Sequence, residues 1–237
     1  MRRRILIAAA VSAGFARTTR AASPPGGPTV LELFTSQGCS SCPSADRLLG
    51  QLVQRPGVIA LAWHVDYWDR LGWRDPFSSP EATARQLAYA RSLGTEVYTP
   101  ALVVGGARME VGSDRRAIEA AIAAPLGERV PVRLTRSSAG LTGEIGQAPG
   151  TVIGTVMGRV SALLVFYLPE HTTPIGAGEN TGRKLTEYRI VRASRELGVW
   201  DGAPRRLDLP APPQGQGAVL LVQSGDLRVL GAATDEA

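Results

Sequence analysis

Apolar residues along the first half of the chain follow the periods of strands and helices in turn. Val30 to Phe34 is an apolar run of strand length, and Val58 to Trp63 is a second such run, typical of a parallel strand covered on both faces. Between the two runs, apolar residues recur at the spacing of one helix face: Ala45, Leu48, Leu49, Leu52 and Val53. The pattern predicts a βαβ unit.

The next elements are predicted from capping and turn residues as well as from periodicity. A helix is expected from Pro80 to Leu93, with Ser79 as its N-cap. A hairpin from Ala101 to Val111 turns at two glycines, and a shorter helix follows with Ser113 as its N-cap. Residues 29–126 are therefore predicted to form an α/β domain.

Beyond Pro125 the pattern changes to short apolar or alternating runs, and helical periodicity nearly disappears. The stretch from Pro169 to Lys184 is rich in proline and glycine, which predicts a long loop. We expect residues 127–237 to form a β-rich domain, a small antiparallel sheet or sandwich packed beside the first half. The predicted strands are Val130 to Leu134, Leu141 to Ile145, Ala162 to Leu168, Glu187 to Val191, Ala218 to Val222 and Leu227 to Leu230.

The beginning of the chain has the pattern of a secretory signal. Arg2 to Arg4 form a basic segment, and Ile5 to Phe15 form an apolar one that is too short to span a bilayer. We expect a signal peptide over residues 1–21, a linker over residues 22–28, and a periplasmic or secreted protein with no stable membrane span after cleavage. An uncleaved membrane anchor is the alternative.

The net charge of +5 invites a nucleic-acid interpretation, but its location argues against one. Five arginines and no acidic residue lie in the first 21 residues, so the predicted signal peptide accounts for the whole excess. We therefore expect no nucleic-acid partner for the mature protein.

The two cysteines of the chain, Cys39 and Cys42, are spaced C-x-x-C between the first predicted strand and the first predicted helix. This is the placement of a thioredoxin-like redox pair, because a helix N-terminus favours the thiolate. Cys39 precedes the helix, so we predict that it is the more exposed cysteine and attacks, while Cys42 resolves the mixed disulfide. The alternative is a static disulfide in a non-catalytic interaction module.

Two further positions are predicted to assist the cysteines. Thr99-Pro100 immediately precedes a predicted strand, where a cis proline would face the cysteine pair and leave the backbone of Thr99 free to bind substrate. Glu32 interrupts the first apolar strand, and we predict that it accepts the proton of Cys42. A solvent-facing acid on an edge strand is the alternative for Glu32.

A polar and aromatic segment, His64 to Asp69, follows the second predicted strand at the sheet edge that also carries the cysteines. Tyr67 and Trp68 are predicted to line a substrate groove, with packing over the sheet edge as the alternative. We expect no cofactor. An alternative metal site for copper or zinc would use Cys39, Cys42 and His64, with its fourth ligand unidentified.

Several stretches together resemble the secreted family called domain of unknown function 1223. They are Glu32 to Pro43, His64 to Asp69, Leu71 to Trp73, Val97 to Pro100, Gly178 to Asn180, Gly182-Arg183 and Val191-Arg192. The resemblance implies a thioredoxin-like fold with an appended C-terminal antiparallel β-rich, sandwich-like domain, and a cysteine pair without an assigned substrate. From the residues and the resemblance we expect an exported thiol-disulfide oxidoreductase that acts on protein thiols or disulfides, with or without a redox partner protein.

Overall fold

The computed structural model describes residues 27–125, 127–150 and 159–236. The predicted signal peptide lies outside these ranges, as do residues 22–26 of the predicted linker. Within them, no helix is both long and apolar enough to cross a membrane. The elements are β1 (Thr29–Thr35), α1 (Cys42–Leu52), β2 (Val58–His64), α2 (Pro80–Leu93), β3 (Ala101–Val104), β4 (Arg108–Val111), α3 (Arg115–Ala123), β5 (Val132–Ser137), β6 (Gly140–Ile145), β7 (Ser161–Pro174), β8 (Lys184–Val199), β9 (Arg205–Leu209), β10 (Gly217–Gln223) and β11 (Val229–Thr234).

The first half folds as its periodicity predicts. β1 and β2 are parallel and joined by α1, and β3 lies antiparallel on the other side of β1. The hydroxyl of Ser79 accepts a hydrogen bond from the Ala82 amide at the start of α2, and Gly94 ends that helix with a φ of 64°. α3 differs in one detail, since its N-cap is Asp114 and not Ser113.

The second half extends the sheet of the first half. The main sheet has the strand order β11-β10-β7-β8-β2-β1-β3-β4, and β8 joins it by parallel pairing with β2, where Ala62 is opposite Ile190. A second, antiparallel sheet has the order β5-β6-β9. The expected separate sheet is therefore limited to these three strands. The domain boundary at residue 126 stays a prediction.

The prediction of a long loop from Pro169 to Lys184 is wrong. β7 continues to Pro174 and β8 begins at Lys184, so that only residues 175–183 connect them. Cross-strand pairs such as Thr172 and Thr186, whose hydroxyls are 2.8 Å apart, hold the ladder together beyond the proline. Pro169 itself falls between paired positions of β7, opposite Arg189, whose φ of 55° marks a break in the regular ladder.

The two faces of the main sheet bury different clusters of side chains. Along β1, Leu31 and Leu33 pack with residues of α1 and α3, whereas Val30 and Phe34 pack with residues of α2 and the C-terminal strands. Because strand side chains alternate, Glu32 belongs to the face that α2 covers. A third cluster fills the space between the three-stranded sheet and strands β7 and β10.

Candidate functional site

The two cysteines form a disulfide at the start of α1, with their Cα atoms 5.4 Å apart. After β1 the chain makes a turn in which the Ser36 carbonyl accepts a hydrogen bond from the Cys39 amide at 3.1 Å. The cysteine pair therefore lies at the carboxyl end of β1. Ser41 is the N-cap of α1, but its side chain makes no cap bond. Its Oγ atom lies 3.3 Å from Cys39 Sγ and donates to the Thr99 carbonyl at 3.5 Å.

The prediction that Cys39 is the more exposed cysteine is wrong, because both cysteines have an exposed fraction of 0%. Ser40 and Ser41 between them are exposed. Trp68 lies beside the turn before Cys39, since a Cβ atom added to Gly38 would be 3.2 Å from Trp68 Cβ. A thiol that approaches the disulfide therefore meets the two serines first.

The predicted cis bond between Thr99 and Pro100 is confirmed, and the pair lies next to the cysteine turn. Pro100 is buried and extends towards α1, because a Cβ atom at Gly112 would touch both Pro100 Cβ and Ala45 Cβ, at 3.0 and 3.1 Å. The Thr99 hydroxyl accepts from Trp68 Nε1 at 2.9 Å. Thr99, Pro100 and Trp68 are thus brought together with the disulfide.

Tyr67 is placed differently from Trp68. Both rings are partly buried and 6.5 Å apart, but the Tyr67 hydroxyl donates to Gln86 Oε1 of α2 at 3.2 Å. Burial raises the pKa of Tyr67, and hydrogen bonds to Gln86 and Thr99 oppose that rise. Trp68 therefore borders the cysteine turn directly, while Tyr67 bonds both to Gln86 of α2 and to Thr99.

Glu32 lies on the wrong face of the sheet to receive a proton from Cys42. Its carboxylate accepts two hydrogen bonds from Arg85 of α2, at 2.5 and 2.9 Å, and one from the Tyr89 hydroxyl at 2.5 Å. α1, which begins at Cys42, packs on the opposite face of β1. The structure therefore corrects the predicted role of Glu32, which is the buried partner of Arg85.

A different acid, Asp46, lies on the cysteine side of the sheet. It is 4% exposed and accepts from the Thr35 hydroxyl at 2.9 Å. Asp46 follows Cys42 by four residues within α1, and residues at this spacing are neighbours on one helix face. Burial, reinforced by the negative charge of Glu187, raises the pKa of Asp46 to about 8. The four-residue spacing is visible in the sequence, and it is the signal by which Asp46 could have been found.

Behind the disulfide, Gln37 holds together a buried polar network. Its backbone amide donates to Asp75 at 2.8 Å, and its side-chain amide donates to Thr173 at 2.9 Å and to Glu187 at 2.7 Å. Its side-chain oxygen accepts from Trp73 Nε1 at 3.0 Å. Thr173 and Glu187 belong to β7 and β8, so the second half of the chain completes the environment of the cysteines.

His64 ends β2 within this network. Its Nδ1 atom lies 2.7 Å from an Asp75 carboxylate oxygen, and its Nε2 atom lies 3.9 Å from Glu187 Oε1. Burial alone would lower the pKa of His64, but the charges of Asp75 and Glu187 overcome it and raise that pKa to about 9. Burial alone would raise the pKa of Asp75, but the charge and the hydrogen bond of His64 outweigh it, and the pKa of Asp75 is lowered. His64 and Asp75 therefore form a buried ion pair.

The connection between β7 and β8 closes over the cysteine turn. Asn180 is fully buried, and its side-chain amide donates to the carbonyls of Gln37 and Cys39 at 2.9 Å each. Its side-chain oxygen accepts from Arg183 at 2.9 Å. Glu179, one residue earlier, accepts from the Ser40 amide at 3.1 Å. Sequence reasoning missed Asn180 as a site residue, because its partners lie about 140 residues away in the chain.

The alternative metal set of Cys39, Cys42 and His64 does not fit the structure. The sulfur atoms are bonded to each other, and His64 Nε2, the ring nitrogen that Asp75 leaves free, faces Glu187 Oε1 at 3.9 Å. Across the described part of the chain, no group of three or more histidine, cysteine, aspartate or glutamate side chains is arranged to hold a metal ion.

Comparison with known proteins gives this chain relatives but no activity. Residues 30–223 match the model of the family described as protein of unknown function, DUF1223. The crystal structure of a protein from Agrobacterium tumefaciens is similar over 88% of this chain and 94% of that chain, with 31% identity and a TM-score of 0.76. HBP35 of Porphyromonas gingivalis is similar over 90% of this chain and 76% of that chain, with a TM-score of 0.59. At 15% identity the second likeness concerns the fold alone. No curated protein matches the chain.

Proposed function

Since this chain belongs to the DUF1223 family of proteins of unknown function, its relatives supply no activity, and we propose from its own residues that it exchanges disulfides with protein thiols. The observation that carries the proposal is the Cys39–Cys42 disulfide at the start of α1, in a turn whose Ser41 bonds to Thr99 and with the buried acid Asp46 one helical turn after Cys42. The predicted signal peptide leads us to propose that the exchange takes place outside the cytoplasm.

The proposal includes a thioredoxin-like arrangement of the first half. It is supported by the order β1-α1-β2-α2-β3-β4-α3, with parallel β1 and β2, antiparallel β3 and β4, and the cysteines at the start of the first helix. In this arrangement the residue before the cis proline, Thr99, borders the disulfide. We propose that Thr99 and Trp68 contact the substrate segment that carries the thiol.

The proposed exchange starts from the reduced pair. The thiolate of Cys39 attacks one sulfur of a substrate disulfide, whose S–S bond breaks, and the other substrate sulfur leaves and takes a proton from solvent. Asp46 then accepts the proton of Cys42, and the Cys42 thiolate attacks Cys39 Sγ. The Cys39–Cys42 disulfide forms as the second substrate sulfur is released. The pair loses two electrons and the substrate gains them; the same steps in reverse oxidise a substrate dithiol.

A raised pKa is what this role requires of Asp46. A carboxyl group whose pKa is about 8 exchanges protons with a thiol near neutral pH, since the ordinary pKa of a cysteine is about 8.5. Glu32 does not meet the requirement, because both of its carboxylate oxygens are bonded to groups on α2.

The complete burial of both cysteines favours a second candidate function, in which the disulfide is static and the protein is an interaction module. Equilibration of the pair with mixtures of reduced and oxidised glutathione separates the two functions. Disulfide exchange predicts a midpoint potential above about −300 mV, whereas a static disulfide stays closed or has a lower potential.

Trapping with cysteine variants tests the assigned roles. Cys42→Ser is expected to accumulate mixed disulfides through Cys39, and Cys39→Ser is expected to form few, as judged on non-reducing gels. Equal trapping by both variants would contradict the assignment of Cys39 as the attacking residue. Absence of trapping, together with absence of exchange with glutathione, would overturn the proposed function.

A further inference from the structure

A small pocket lies at the start of β2, the end of that strand away from His64. Its cavity volume is about 80 Å³, which is more than one water molecule needs. Arg189 and Tyr167 supply polar groups to its lining, and we call it the Arg189 pocket. It shares no residue with the cysteine site. Its apolar lining comes from Val53, Val58, Ile59, Ala60 and Val219.

Arg189 and Tyr167 together hold a carboxylate of the chain itself, that of Glu236. The guanidinium donates to the two carboxylate oxygens at 2.5 and 2.7 Å, and the Tyr167 hydroxyl donates to one of them at 2.9 Å. The same hydroxyl accepts from Arg189 at 2.5 Å, and the guanidinium carbon lies 4.9 Å from the centre of the Tyr167 ring. A planar guanidinium with two donors fits the shape of a carboxylate. The arrangement is therefore a site for one carboxylate group.

The backbone around this site accommodates both side chains at unusual positions. The φ of Arg189 is 55°, in the left-handed region that favours glycine, and the Arg189 side chain is only 17% exposed. Gly217, which is opposite Tyr167 in the ladder between β7 and β10, leaves room for the ring, because a Cβ atom there would lie 2.3 Å from the ring carbon Cζ. Strained backbone positions are concentrated at functional sites. The strain at Arg189 points to a function for its side chain.

Glu236 is a replaceable occupant of the site. Its side chain is 45% exposed, and an ion pair with so exposed a partner adds little stability. The preceding residue, Asp235, holds the chain in place by itself, since its carboxylate accepts from the Ala218 amide and from Arg136 Nε at 2.8 Å each. Rotation of the Glu236 side chain alone is therefore enough to free the site.

We propose that the Arg189 pocket binds a short aliphatic carboxylate, with the Glu236 side chain as an internal competitor that leaves when the ligand enters. The carboxylate of the ligand takes the bonds from Arg189 and Tyr167, and its carbon atoms pack against the apolar lining. Burial raises the pKa of Tyr167 to about 12, so the hydroxyl stays a donor at neutral pH. Free carboxylic acids and the carboxyl terminus of a peptide share this chemistry. The inference goes beyond the proposed function and does not depend on it.

The test is an NMR titration followed at the backbone amides of Val58 to Ala60, which line the pocket. The probes are isobutyrate, N-acetyl-alanylvaline and the uncharged amide of each. Glu236→Ala removes the competitor. We expect it to bind isobutyrate about tenfold more tightly than the wild type does, as follows if Glu236 fills the site about 90% of the time. The two amides should not bind.

Removal of the guanidinium should abolish binding. Arg189→Asn, combined with Glu236→Ala, is suited to this purpose because asparagine tolerates a φ of 55°. Arg195→Asn in the same background, at an exposed position of the same strand, is the matched control and should bind as Glu236→Ala does. If circular dichroism shows that the Arg189 variant does not fold, Tyr167→Phe takes its place and should weaken binding by about tenfold.

The two acids distinguish the two sources of the ligand. Tighter binding of the peptide would assign the pocket to polypeptide carboxyl termini, and equal or tighter binding of isobutyrate would assign it to free acids; both results support the site. Equal affinity in the wild type and Glu236→Ala, no binding by either, or binding that survives the loss of Arg189 or of the Tyr167 hydroxyl would overturn the inference. Amides or inorganic phosphate that bind as tightly as isobutyrate would overturn it as well.

Discussion

The two faces of the main sheet carry two buried clusters of charge that differ in completeness. On the α2 face, one acid, Glu32, meets one cation, Arg85, and every carboxylate oxygen of Glu32 is hydrogen-bonded. On the α1 face, two acids, Asp75 and Glu187, face the single cation His64, and the two atoms His64 Nε2 and Glu187 Oε1 remain unpaired. Breaking a buried pair of matched charges strongly destabilises a protein, whereas a cluster of unmatched titratable groups in a site is a candidate for function.

The largest effect is expected from a substitution that breaks the matched pair of Glu32 and Arg85. Arg85→Leu leaves Glu32 buried without a counter-charge, and we expect the free energy of unfolding to fall by about 3 to 5 kcal/mol. Urea denaturation measures the change. Arg91→Leu, at an exposed position of the same helix, is the control. Since the pair lies on the face away from α1, the folded variant should exchange with glutathione as the wild type does, and altered exchange would contradict the separation of the two clusters.

The next largest effect is expected from a substitution that removes the proposed proton acceptor, Asp46. Asp46→Asn is expected to slow resolution by Cys42 by about 100-fold, the lower end of the usual contribution of general acid–base catalysis. The wild-type rate should rise as the pH passes about 8, and the variant should keep only the rise that ionisation of the Cys42 thiol itself produces. Stopped-flow measurement of thiol release from a preformed mixed disulfide gives both quantities.

The matched comparison for Asp46→Asn is Glu32→Gln. It should leave the rate of resolution unchanged while lowering the stability of the protein, because Arg85 then loses the negative charge of its partner. Slower resolution in Glu32→Gln with normal resolution in Asp46→Asn would reverse the roles given to the two faces.

The smallest expected effect concerns access to the disulfide. Asn180→Ala removes the side-chain donor from the carbonyls of Gln37 and Cys39, of which Cys39 keeps the bond from the Cys42 amide, at a cost of about 1 to 3 kcal/mol in the free energy of unfolding. Opening of the disulfide by dithiothreitol should become faster, since the connection between β7 and β8 no longer bonds to the cysteine turn. Thr181→Ala, whose hydroxyl bonds within that connection, is the control and should react at the wild-type rate. Equal rates in both variants would show that Asn180 does not restrict access.

Local signals in the sequence were enough to predict the elements of the first half and part of the site. The C-x-x-C spacing at a helix start and the N-cap Ser79 each depend on a few neighbouring residues, whereas the cis bond before Pro100 was predicted from its place before a strand of the predicted fold. The alternation along β1 separates Glu32 from Leu31 and Leu33, but alternation does not reveal which face α1 covers. The predicted role of Glu32 therefore depended on which helix packs on its face of the sheet, and that helix is α2.

Contacts between distant parts of the chain were beyond local patterns. Glu187 lies 150 residues after Gln37, and Asn180 lies 141 residues after Cys39. The pairing of β8 with β2, which brings these residues to the cysteines, is a single position of the ladder. The burial of Cys39 follows from this long-range packing, and so the prediction of an exposed cysteine failed.

The single position at which β8 meets β2 also has a consequence for the order of events during synthesis. We expect the contact between Ala62 and Ile190 to form late, because the long intervening segment must first bring these two residues together. Until β8 arrives, the cysteine turn has neither the donor from Asn180 nor the bond between Gln37 and Glu187. We therefore expect the two thiols of a nascent chain to be open to oxidation before the finished protein encloses them.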